Sequence, residues 1–151
     1  MKQYSFASVN LIIDGVKVNG MENSQNIVVA GRQSPQHLDQ IDARGKMVVS
    51  TVTDLSGFIA FNLLHTSDFN VWLSLRASES QLTGTSGGST LFVPIQALLQ
   101  DKMGSDLVVG VNGIITQQPD MSRGLQVGSE MWRIRFERLM MVRGKSPDTG
   151  V

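Results

Sequence analysis

Hydrophobic residues in this chain fall mostly at every second position, in short stretches separated by turn-forming residues. Tyr4–Val18 alternates in this way, with Val9, Leu11 and Ile13 on one side and Asp14-Gly15 interrupting the run. That dipeptide suits a two-residue hairpin turn, because both central positions need positive φ. Asn19-Gly20 ends the return strand, residues 21–26 read as a loop, and Ile27–Ala30 forms a short strand closed by Gly31. Gln36–Val52 predicts a longer hairpin with Ala43-Arg44-Gly45-Lys46 at its tip and a β-branched return arm, Met47–Thr53. Its outgoing arm carries His37, Asp39, Gln40 and Asp42. A strand so poor in apolar residues cannot lay either face on a core, and it belongs against water, another subunit or a channel.

After a turn at Asp54–Gly57, Phe58–Leu64 continues as an apolar strand. The period then changes. Phe69, Trp72, Leu73 and Ala77 keep the spacing of one helical face, and Thr66, Ser67 and Asp68 stand ahead of them as N-cap candidates. The side-chain oxygens of such residues accept first-turn N–H groups, so the spacing predicts one helix over Asp68–Ser80. Thr83–Thr90 reads as a Gly/Ser loop, Leu91–Leu99 and Leu107–Thr116 as apolar strands, and Gln100–Asp106 as the polar loop between them. Met131–Val142 sets Trp132, Ile134 and Phe136 against Arg133, Arg135 and Glu137, the clearest period of two in the chain. The tally is about eight or nine hairpin-connected strands with one helix, and no βαβ alternation that would build a parallel sheet. The expected fold is mainly β: an antiparallel sandwich or partly open barrel, with the helix packed at one end.

Length and composition bound this picture. The 151 residues fit one domain, residues 1–151, with Gly144–Val151 as a loose tail. Hydrophobic residues make up 41% and charged residues 17%, below the usual charged share of about 25%, as suits a subunit that hides part of its surface. Thirteen basic and thirteen acidic residues balance, so no global field points to nucleic acid or an anionic membrane. With no cysteine there is no disulfide framework, thiolate zinc site or thiol nucleophile. No leader and no long apolar run stand out, so the expectation is a soluble protein made in a cytoplasm.

Candidate chemistry is thin. Gly84-Thr85-Ser86-Gly87-Gly88 satisfies G-x-S-x-G, but that motif works on a strand-to-helix elbow, and here it lies between a helix and a strand. Both histidines, His37 and His65, precede it, which excludes the Ser–acid–His order of α/β-hydrolases. No metal-ligand spacing occurs, and His65 at a strand-to-helix corner reads as a hydrogen-bonding or solvated residue. Asp39 and Asp42 fall on opposite faces of an extended strand and cannot act as an acid–base pair. Arg133, Arg135, Arg138 and Arg143 are interleaved with Glu130 and Glu137 and lack stacking partners, so they read as a solvated or subunit-facing surface rather than a nucleic-acid site. No catalytic residue, metal site or cofactor is assigned.

Two segments carry a family resemblance. Tyr4-Ser5-Phe6-Ala7-Ser8-Val9-Asn10-Leu11-Ile12-Ile13-Asp14-Gly15 is similar to the opening of the tail tube proteins of contractile-tailed bacteriophages. Gly57-Phe58-Ile59-Ala60-Phe61-Asn62-Leu63-Leu64-His65-Thr66-Ser67 resembles that family's strand leading into its single helix. A polar hairpin before that strand and an alternating last strand fit the same order of elements across residues 4–143. The resemblance implies a structural virion protein whose hexameric rings join sheet edges into a continuous barrel and stack into a hollow tail tube. Implied partners are other copies of the chain, the tail sheath, the baseplate and the tail terminator, with DNA passing through without specific binding. The implied location is the virion tail, after assembly in the bacterial host cytoplasm. On this reading Gln36, Asp39, Gln40, Asp42, Ser50, Thr51 and Thr53 are lumen or inter-ring positions, and a neutral or acidic lining lets DNA slide. A terminator, a baseplate subunit or a secretion-system tube would share these features. A β-sandwich binding module and a small serine hydrolase built on Ser86 are the more distant rivals.

Overall fold

The computed structural model describes residues 3–23, 25, 27–85 and 93–145, with the helix side chains described as far as Glu79. Its strands are β1 (Val9–Ile13), β2 (Val16–Lys17), β3 (Val28–Arg32), β4 (His37–Ile41), β5 (Met47–Thr51), β6 (Gly57–Leu64), β7 (Ile95–Asp101), β8 (Leu107–Ile115) and β9 (Ser129–Val142), with one helix, α1 (Phe69–Thr85), between β6 and β7. Seven strands form one sheet in the order β2-β1-β7-β8-β9-β6-β3, while β4 and β5 pair only with each other. Every pairing is antiparallel. The fold is therefore mainly β with a single helix, as the alternation predicts, and the sheet stays open, ending at β2 and β3.

The β1–β2 hairpin turns at Asp14 (φ 50°) and Gly15 (φ 81°), the positive pair expected of that dipeptide. The turn is anchored from outside. Asp14 donates its N–H to Gln96 O and accepts Gln96 N–H on its carboxylate, both at 2.9 Å. Arg76 from α1 reaches the same carboxylate at 2.9 Å and lies over Trp72, 5.6 Å from the ring centre. The strand begins later than the alternation predicts. Phe6–Ser8 is a single 3-10 turn, because Ser5 accepts Ala7 N–H and Ser8 donates its hydroxyl to Asp101 at 2.7 Å.

One face of the sheet holds the core: Leu11 and Ile13, Ile59, Phe61 and Leu63, Ile95 and Ala97, and Trp132, Ile134 and Phe136, closed by Phe69 and Leu73 of α1. Helix and sheet are joined by a buried polar link. Trp132 Nε1 donates to Asn70 Oδ1 and Asn70 Nδ2 to Leu64 O, each at 2.8 Å. Ser67 supplies the cap among the three candidates, accepting Phe69 N–H at 3.3 Å and donating its own hydroxyl to Asn19 O at 2.7 Å. The helix runs to Thr85, past the predicted Ser80 and into the stretch read as loop; Ser86–Gly88 of the G-x-S-x-G motif lies outside the described residues.

The alternation in β9 holds from Trp132 to Glu137 and then shifts, for Leu139 is buried rather than Arg138. Asn112 on the facing strand takes φ 56°, and the β7–β8 register slips by one residue between Ile95 and Ala97. This bulge re-aims the far half of the sheet. Gly110 and Gly113 on either side of it leave the room that Phe136 fills. At the C-terminal side Gly144 N–H donates to Asp106 at 2.6 Å, so the tail is tied down at its start; residues 146–151 lie outside the described residues.

Candidate assembly interface

The polar hairpin is a free-standing ribbon. All ten residues of β4 and β5 are exposed. The register pairs His37 with Thr51, Leu38 with Ser50, Asp39 with Val49, Gln40 with Val48 and Ile41 with Met47. Paired residues share a face and successive residues alternate. One face therefore carries His37, Asp39, Ile41, Met47, Val49 and Thr51, and the other Leu38, Gln40, Val48 and Ser50. The hairpin is less polar in three dimensions than its outgoing arm reads in sequence. Leu38, Ile41, Met47, Val48 and Val49 are 56, 65, 57, 56 and 57% exposed.

Both ends of the ribbon are pinned by carboxylates. At the tip Asp42 accepts the N–H groups of Arg44 (2.9 Å) and Lys46 (2.8 Å), while Gly45 takes φ 81° and donates its N–H to Asp42 O. At the base Asp54 accepts the Ser34 hydroxyl at 2.6 Å and Ser56 N–H at 2.9 Å, and Gln33 N–H donates to Ser56 O. The Ser34 hydroxyl is the main reason that the Asp54 carboxyl titrates at about 2, well below the usual carboxylate range. Together these bonds give the ribbon a defined exit from β3 and re-entry to β6.

The seven positions singled out in the sequence are all exposed, but they do not form one surface. Gln40 and Ser50 share one face, and Gln36 follows on that side through the Val52 N–H to Gln36 O bond. Asp39 and Thr51 lie on the other. Asp42 is engaged in the tip turn, and Thr53 stands in the segment that returns to the sheet. Sequence reasoning passed over the five exposed apolar residues; the signal was present as Met47-Val48-Val49, read only as β-propensity.

The sheet face opposite the core is a second, partly exposed surface. Ile12, Leu98, Val109 and Met140 are register partners in turn, an apolar row across β1, β7, β8 and β9. Arg133 and Arg135 lie further along β9, opposite Ala60 and Phe58 of β6, and Arg133 lies 3.9 Å above the Phe58 ring centre. His65 accepts Gly128 N–H on Nδ1 at 3.1 Å and donates its own N–H to Gly128 O. Arg123 reaches the largely buried Glu130 at 3.1 Å. These contacts hold the ends of the segment that displays Leu125 and Val127, and Met121 just before it is exposed as they are. Among the described residues no group of three or more His, Cys, Asp or Glu side chains is placed to hold a metal ion.

Neither a protein-family model nor a curated protein sequence matches the chain. In fold it is similar to a chain of an extracellular contractile injection system solved by cryo-electron microscopy, the PVC sheath/tube terminator in its extended state. The two share 11% identity over 94% of this chain and 98% of that one, with a TM-score of 0.53. A chain of the PVC sheath–tube complex, also in the extended state, aligns over 89% of this chain and 88% of its own at 11% identity and a TM-score of 0.49. The architecture of this chain, an open antiparallel sheet with one helix, is thus similar in fold to that chain of the extended PVC sheath/tube terminator.

Proposed function

We propose that this chain is a structural subunit of a contractile injection apparatus that joins copies of itself into rings and builds or caps the inner tube. The exposed ribbon is the observation that carries the reading. A lone two-stranded hairpin is marginal in water, and among the described residues five large apolar side chains on it stay more than half exposed. Docking on a neighbouring copy buries Ile41, Met47 and Val49 on the Asp39 face, and a surface repeated on identical subunits closes into a ring. The open edges β2 and β3 are hazards in a monomer and specified contacts in a ring. In this assembly the exposed face of the sheet and the Gln36, Gln40 and Ser50 side of the ribbon line or border the bore. Asp39, Asp42, Thr51 and Thr53 sit at contacts between copies.

Within that class, a tail tube of a contractile-tailed phage is one member, with a sheath, baseplate and terminator as partners and DNA as the passing cargo. A terminator, which closes the tube instead of extending it, is favoured equally by the near-complete overlap with a chain of the sheath/tube terminator structure. Size-exclusion chromatography with light scattering tests the shared claim. The wild-type chain should form a closed oligomer, and Ile41→Thr with Met47→Thr and Val49→Thr should shift it to monomer without loss of β structure. An unchanged oligomer in the triple variant would defeat the reading.

A further inference from the structure

The sheet has a gap beside the ribbon. The β6–β9 register ends at Gly57 opposite Phe136, whereas the β8–β9 register continues to Val142. Glu137–Val142 is therefore paired on its β8 side alone, apart from the Leu139 N–H bond to Leu55 O at 2.9 Å. In the fork between this half-edge and the ribbon base lies a cleft of about 500 Å³. Its walls include residues from both faces of β9, as expected beside an uncovered strand edge. Val109, Val111 and Met140 share one sheet face by register and give the cleft an apolar floor, and Arg32, Arg138 and Arg143 stand around it; none of its lining residues is acidic. Arg32 Nε is buried there with no acceptor among the described residues, although its Nη2 reaches Asp54 O at 3.4 Å. A buried donor left without a partner is costly, so the cleft calls for an anionic group carried on an apolar surface.

One surface of the same chain has that chemistry. The ribbon face with Ile41, Met47 and Val49 carries a single carboxylate, Asp39, paired in register with Val49. We propose that the cleft between the ribbon base and β9 is the seat for the ribbon of a second copy, with Asp39 among the three arginines and Ile41, Met47 and Val49 on the apolar floor. This rests on the reading that the ribbon joins copies, and it adds which surface receives it. A seat beside the donor's own ribbon base also gives every copy one ribbon and one cleft, the head-to-tail arrangement from which rings close.

The absence of cysteine from the chain allows a direct test. A Val49→Cys protein and a Met140→Cys protein of different tag length are mixed and mildly oxidised. The mixed disulfide should form in preference to either like pair, and a Val71→Cys control on the exposed side of α1 should not trap the ribbon. Asp39→Arg in the ribbon donor, or Arg138→Asp in the acceptor, should lower the mixed product by about tenfold or more. Combining the two reversals, one on each partner, should recover it. Equal trapping of Val49→Cys by both acceptors, or charge reversals without effect, would overturn the assignment of the cleft. If the ribbon triple variant loses assembly while the Val49–Met140 disulfide fails to form, only the cleft is wrong. If that variant still assembles, the ribbon reading falls, and the cleft with it.

Discussion

Replacing Asn70 with alanine tests how the helix is held to the sheet. Asn70 is 8% exposed, accepts the Trp132 indole N–H and donates to Leu64 O, both at 2.8 Å. Without the amide, a donor on a side chain that is 1% exposed has no acceptor, at a cost of about 1–3 kcal/mol. Leu64 O keeps its bond from Ser67 N–H, so loss of the second contact adds only about 0.5–1 kcal/mol. The sum is about 2–4 kcal/mol, or about 4–16 °C in Tm for a chain of this size. Urea unfolding should be followed by tryptophan fluorescence at one fixed protein concentration, because assembly itself stabilises. Trp132→Phe removes the donor, so Asn70→Ala should cost about 1–2 kcal/mol less in that background than alone. A loss below about 0.5 kcal/mol for Asn70→Ala, or strict additivity in the double variant, would refute the claim that this pair locks α1 down.

Three further predictions follow from local geometry. At Gly113 a Cβ would come 2.5 Å from Phe136 Cε1 and 2.9 Å from Ile134 Cγ2, so Gly113→Ala should cost about 1–3 kcal/mol by thermal unfolding. Gly15→Ala meets no atom within 4 Å, yet its φ of 81° should still cost about 1–2 kcal/mol, a conformational effect separable from crowding by comparing the two variants. The Asp54 carboxyl is held down at about 2, so its contribution is fully present above the ordinary carboxylate range and is lost as pH falls through about 2. Ser34→Ala should move its titration, read by carboxylate NMR, back towards the ordinary value and loosen the ribbon base at mildly acidic pH.

Most of the fold was legible because its signals are local. The Asp14-Gly15 turn, the helical spacing of Phe69, Trp72 and Leu73, and the Trp132–Phe136 alternation each depend on neighbours in sequence, and each has its predicted place. What failed depends on partners far along the chain. The 3-10 turn at Phe6–Ser8 answers to Asp101, and the shift in β9 answers to a bulge on the facing strand at Asn112. The hairpin Gln36–Val52 was recognisable, and so was its unsuitability for a core. Its division into two faces was not, because the register that places Asp39 with Val49 and Gln40 with Val48 is set by the turn that Asp42 closes. The cleft beside β9 had no trace in the sequence, since it exists only where β6 stops pairing short of Val142.

Electron microscopy of the purified chain at high concentration, alone and with sheath or baseplate components, tests self-assembly through the ribbon most directly. Closed rings or stacked tubes of uniform bore are expected for the wild type, and neither for the Ile41→Thr, Met47→Thr, Val49→Thr variant. A compact monomer that persists at every concentration and with every partner would contradict it, and rings undiminished in the ribbon variant would do the same.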